Sequence, residues 1–134
     1  MIIRTRHYND IAILATNGRI DSVTAPQLLQ RIEKQVAIDF TRIVIDLKKV
    51  DFLNSIGVKS LLQVAELIRQ QGGDIRLVNV HMRLKSILNL VGVEDMFKIY
   101  PNVVLATVSY FPSPSPARQD TMPISRKQST GFCG

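Results

Sequence analysis

Asp51-Phe52-Leu53-Asn54-Ser55-Ile56-Gly57-Val58 sets a small hydroxyl between two strongly apolar elements. Upstream, Arg42-Ile43-Val44-Ile45-Asp46-Leu47 reads as a buried strand whose continuous apolar character implies cover on both faces. Downstream, Ile56 to Gln71 reads as a long helix, with Val58, Leu61, Leu62, Ala65 and Ile68 recurring at helical spacing. The junction therefore puts Ser55 at or beside a helix N-terminus. Backbone N–H groups there lack intrahelical partners and the helix dipole is positive, so an anion is tolerated. On these grounds alone Ser55 reads as a helix cap, a phosphoryl acceptor, or both.

At the front of the chain, Ile2 to Tyr8 and Ile11 to Ala15 read as two strands joined by an Asn9-Asp10 turn. Gly18 interrupts the pattern. Ile20-Asp21 then leads into a helix that Ser22 or Thr24 can cap, with Pro26 in its first turn and Leu28, Leu29, Ile32 and Val36 along one face. Behind the long helix, Gly72-Gly73 supplies a stop and Ile75 to Val80 a strand. A helix over Met82 to Leu90, a short strand at Lys98-Ile99-Tyr100 and a last helix within Asn102 to Tyr110 complete the pattern. Strands alternating with helices imply an α/β fold with a largely parallel sheet.

The runs Ile43 to Leu47, Val50 to Val58 and Leu61-Leu62 resemble the core motif of STAS domains. Within that superfamily the chain is most similar to stand-alone bacterial anti-sigma factor antagonists (anti-anti-sigma factors). Gly18 to Ala25, Gly72 to Val80 and Arg83 to Val93 agree in order. The resemblance covers residues 1–111 and implies a small mixed, mostly parallel β-sheet with helices packed on one side. It also implies partner switching. The unphosphorylated protein binds an anti-sigma factor that doubles as a serine kinase, lets go when Ser55 is phosphorylated, and is restored by a metal-dependent serine phosphatase. The alternative is a non-phosphorylated STAS subunit of a signalling or transport assembly.

The resemblance aligns Ser55 with the family's phosphorylated serine and Asp21 with an acidic position on the same rim. Asp21 equally reads as a cap for the first helix. The partner-binding surface is expected at Asp21, Asn54, Ser55, Ile56, Gly57, Lys59 and Gln63. Gly57 permits close approach of a partner or of the neighbouring strand. Two positions depart from the family pattern: Asn54 stands where Asp is usual, and Ile56 where Ser or Thr is common. Ser55 is thus the one acceptor hydroxyl in this loop, and Asn54 can still cap the helix through its side-chain oxygen.

Composition narrows the alternatives. The chain has 134 residues, enough for one domain with a single core, and that core must be aliphatic: 46% of residues are hydrophobic, 6% aromatic, and none is Trp. Cys133 is the only cysteine, which excludes a disulfide framework and fits a cytoplasmic setting. The start lacks a signal-peptide pattern, and charges interrupt every apolar stretch short of a membrane span. A net charge of +6 invites a nucleic-acid role, but the basic residues are dispersed among acids without interleaved aromatics. No direct nucleic-acid or membrane partner is therefore expected.

Neither His7 nor His81 sits in a nucleophile motif, and no P-loop, HExxH or CxxC is present. The chain reads as a binding protein without cofactor, metal or catalytic residues. Residues 112–134 hold four of the six prolines amid Ser, Thr, Gln and Gly, and read as a disordered tail.

Overall fold

The structure is a computed structural model, and it describes residues 1–92 and 94–111. The expected tail at 112–134 lies outside the described residues. The elements are β1 (Ile2–Tyr8), β2 (Ile11–Ile20), α1 (Ala25–Ala37), β3 (Arg42–Leu53), α2 (Ser55–Gln70), β4 (Asp74–Val78), α3 (Met82–Val91), a 3₁₀ turn (Glu94–Met96), β5 (Lys98–Tyr100) and α4 (Val103–Ser109). The strands form one sheet in the order β1-β2-β3-β4-β5. Only β1 runs antiparallel, as a hairpin with β2; the pairs β2–β3, β3–β4 and β4–β5 are parallel.

Alternation along the central strands builds two cores. Leu14, Ile43, Ile45, Leu47, Ile75 and Leu77 point to one face and meet Leu28, Ile32, Val58, Leu61, Ile68 and Leu84 from α1, α2 and α3. Ile11, Ile13, Val44 and Val78 point to the other face, where Ala106 and Tyr110 cover them. The expectation of helices on one side holds for the three long helices. The short α4 lies on the opposite face, because β3 and β4 are apolar on both sides and need a second cover.

Two strands run further than alternation suggests. β2 continues through Gly18 to Ile20, and β3 continues past Leu47 to Leu53. The register explains both. Ala15 pairs with Asp46 but Asn17 with Lys49, and Gly18 pairs with Val50 but Arg19 with Phe52, so β3 carries an extra residue at each of two bulges. Leu47, Val50 and Leu53 are consequently all buried on the helix side at a spacing of three. The pairs Lys48-Lys49 and Asp51-Phe52 are left outside that core, with Arg19 stacked 4.3 Å over the Phe52 ring. This extension brings the carboxyl ends of β2 and β3 level, and the candidate site forms there.

A second anchor holds α4. The Tyr110 hydroxyl lies 2.7 Å from the Ile43 and Asp74 carbonyls and accepts the Ile43 N–H at 3.2 Å. Arg76 stacks 3.9 Å from the Tyr110 ring centroid and donates to Ser109. Asp74 binds Arg69 and Arg76 through its two carboxylate oxygens, at 2.8 and 3.3 Å. Burial pushes the Tyr110 phenol well above its usual range, with the Asp74 charge adding to the effect.

Candidate functional site

The site sits on the rim formed by the carboxyl ends of the parallel strands, where β2, β3 and β4 hand over to α1, α2 and α3. Loops at such ends can present side chains without disturbing the sheet, and ligand sites of open α/β sheets concentrate there.

Asn54 is the cap of α2. Its extended backbone, with φ −118° and ψ 169°, lets the side-chain oxygen accept the Gly57 N–H at 2.8 Å, while its own N–H donates to the Ile20 carbonyl at 3.1 Å. Four N–H groups at a helix start lack intrahelical partners. Here the Asn54 side chain satisfies the Gly57 N–H and the Ile20 carbonyl satisfies the Asn54 N–H, while those of Ser55 and Ile56 remain without a partner among the described residues. Ser55 is the first residue of the helix and is exposed. The sequence left open whether Ser55 or Asn54 caps; the cap is Asn54, which frees the Ser55 hydroxyl.

Asp21 is bound up in its own turn. Its Oδ1 accepts the N–H groups of Val23 and Thr24, both at 3.0 Å, and Oδ2 lies 3.4 Å from Arg19 Nε. The Thr24 N–H above all holds the Asp21 carboxyl below the usual carboxylate range, against some desolvation. Thr24 turns its hydroxyl back to the Arg19 carbonyl at 2.6 Å, so neither Thr24 nor Ser22 caps α1 as expected. The Asp21 carboxylate takes that task one turn earlier, and Ser22 is exposed.

The remaining expected residues divide. Ile56 is 57% exposed, an unusual place for a β-branched apolar side chain, and Lys59 and Gln63 are exposed along the same helix. Gly57 is buried instead. A Cβ there would sit 2.9 Å from both the Ile20 carbonyl oxygen and its Cγ2. The close approach it permits is therefore to the neighbouring strand, not to a partner. Six of the seven expected positions share the rim or the outer face of α2, and Gly57 packs beneath them.

Sequence reasoning missed two neighbours. Val23 is 74% exposed at the entrance to α1 and Met82 85% exposed at the first position of α3, so apolar side chains flank Ile56 on the same rim. Their signal was a lone apolar residue at each helix start, legible only once the three starts are known to align. His81, beside Met82, places Nε2 3.0 Å from the Val50 carbonyl. Among the described residues no group of His, Cys, Asp and Glu could hold a metal ion, and no helix is long and apolar enough to cross a membrane.

A family model described as STAS domain matches residues 3–106. The anti-sigma-F factor antagonist RsfB of Mycobacterium tuberculosis is 35% identical over 95 residues, which span 69% of this chain and 75% of that protein. The anti-sigma-B factor antagonist of Bacillus subtilis is 29% identical over 91 residues, 68% of this chain and 82% of the relative. Among solved structures, an anti-sigma factor antagonist from Mycobacterium paratuberculosis aligns with a TM-score of 0.71 at 30% identity, covering 81% of this chain and 92% of that one.

Proposed function

This chain belongs to the STAS domain family, and on that premise we propose that it acts as an anti-sigma factor antagonist controlled by phosphorylation of Ser55. Unphosphorylated, it binds an anti-sigma factor that is also a serine kinase, through Asp21, Asn54, Ser55, Ile56, Lys59 and Gln63. Phosphorylated, it releases that partner, and a metal-dependent serine phosphatase resets it. The kinase brings its own ATP and magnesium.

One observation carries the reading: Ser55 is an exposed hydroxyl at the first position of α2 that has no capping duty, because Asn54 performs it. A phosphoserine adds about −1.5 to −2 charges and three acceptor oxygens. Here those oxygens meet two unpartnered N–H groups and the positive end of a sixteen-residue helix, which favours an anion by about 0.3–1 kcal/mol. The fold thus tolerates the modification. A partner packed on Ile56 does not, since it must bury a new charge against an apolar contact. Leaving such a charge unpaired costs several kcal/mol, and each loss of about 1.4 kcal/mol weakens binding tenfold. The switch therefore acts on the interface and spares the architecture.

Incubating the protein with the serine-kinase anti-sigma factor of the same genome and Mg-ATP, followed by phosphopeptide mass spectrometry, tests the assignment. One phosphate on Ser55, absent from Ser55→Ala, is expected. Phosphate on another residue, or none, overturns it.

A further inference from the structure

On the sheet face opposite α1, α2 and α3, α4 covers Val44 and Val78 but stops short of the outer half of β1 and β2. Paired residues carry their side chains to the same face, so the register lays out what is left bare. One row reads Arg4, Ala15, Asp46 across β1, β2 and β3, and the next reads Ile2, Asn17, Lys49. Ala15 has only a methyl between two long neighbours. The bulge beside Asp46 adds Lys48 to the rim. The result is a depression of about 300 Å³ lined by Ile2, Arg4, Ala15, Asn17, Lys48 and Lys49, together with Thr16 and Asp46.

Its electrostatics are one-sided. Three cations line it against a single carboxylate, and none of Arg4, Lys48 and Lys49 forms an ion pair among the described residues. Asp46 Oδ1 is already engaged, accepting the Asn79 amide at 2.9 Å and the Lys48 N–H at 3.0 Å. Thr16 is satisfied too, donating to the Asp46 carbonyl at 3.0 Å. Ala15 gives the depression a half-buried apolar base, and the exposed side chains of Ile2 and Asn17 border it. Unpaired cations around a small apolar floor suit a compact anion with a little hydrocarbon attached, and the volume falls at the small end of ligand pockets.

We propose that this depression is a binding site for a small phosphorylated molecule, its phosphate held by Arg4, Lys48 and Lys49 and its body resting on Ala15 and Ile2. The site stands apart from the Ser55 rim and does not depend on phosphorylation of the protein. Arg4 matches phosphate with a planar fork of N–H donors, and the two lysines act as point charges. The bulge gives the device its form: without the extra residue, Lys48 and Lys49 would fall on opposite faces of the sheet.

Titrating the uniformly ¹⁵N-labelled full chain with phenyl phosphate, followed by NMR, tests the site. Saturable shifts are expected at the amides of Arg4, Ala15, Asn17, Lys48 and Lys49. They should weaken by at least about tenfold in the double variant Arg4→Ala, Lys49→Ala, where two attractive charges are lost. Ala15→Leu keeps every charge but fills the floor, so it should abolish saturation, with its spectrum elsewhere confirming the fold. Shifts that never saturate, that spread evenly over all basic residues, or that survive Ala15→Leu unchanged would overturn the proposal.

Discussion

Asn54 Oδ1 accepts the Gly57 N–H at 2.8 Å, and this one bond separates the cap of α2 from the residue that follows it. Had Ser55 been the cap, its hydroxyl would be committed to the backbone and phosphorylation would remove a helix anchor. With Asn54 in that role, structure and regulation are divided between adjacent residues.

The first expected outcome concerns that division. Asn54→Ala loses the cap and should cost about 1 kcal/mol in urea unfolding. Ser55→Ala leaves the cap in place and should stay within about 0.5 kcal/mol of wild type. Asn54→Asp keeps the acceptor and adds a charge at the positive helix end, so it should match or exceed wild type by about 0.3–1 kcal/mol at low salt.

Gly57 offers a steric test of the rim. Gly57→Ala places a methyl 2.9 Å from the Ile20 carbonyl, a backbone atom that cannot swing aside. Overpacking of this kind costs about 1–3 kcal/mol and outweighs the gain in helix propensity of up to about 1 kcal/mol. Unfolding measurements should show a net loss of about 1–2 kcal/mol, accompanied by chemical-shift changes at Ile20 and Asn54.

These outcomes show how unevenly the sequence disclosed the molecule. The course of α2 was legible because its apolar residues recur without interruption, and Asn54 was recognisable as an alternative cap by its chemistry. The ends of β2 and β3 were not. Two bulges break the two-residue period that identifies a strand, so Leu47, Val50 and Leu53 mimic helical spacing inside an extended segment. The burial of Gly57 was equally hidden, since it depends on Ile20, thirty-seven positions away in the chain. Tyr110 gave no sign of its anchoring role, because its carbonyl partners lie on strands whose pairing only the fold defines.

Tyr110 yields a pH-dependent expectation. Its phenol is buried and its folded pKa is raised above the unfolded value of about 10, so its contribution is complete below that pH. As pH rises beyond it, the unfolded state ionises first and the stability drains away by up to about 1.4 kcal/mol per pH unit. Tyr110→Phe should lose about 1–3 kcal/mol at neutral pH through its missing hydrogen bonds. It should then close on wild type above pH about 10, because it lacks this ionisation. Paired urea titrations from neutral to alkaline pH would reveal the convergence.

A charge on Ser55 is expected to abolish docking while the fold persists. Isothermal titration of the serine-kinase anti-sigma factor with unphosphorylated and Ser55-phosphorylated protein tests it most directly, with circular dichroism and thermal unfolding on both forms. Affinity should fall at least about tenfold, equivalent to about 1.4 kcal/mol, with superimposable spectra and an unchanged or slightly raised Tm. Equal affinities for the two forms, or weaker binding accompanied by loss of structure, would rule out a switch that acts on the interface alone.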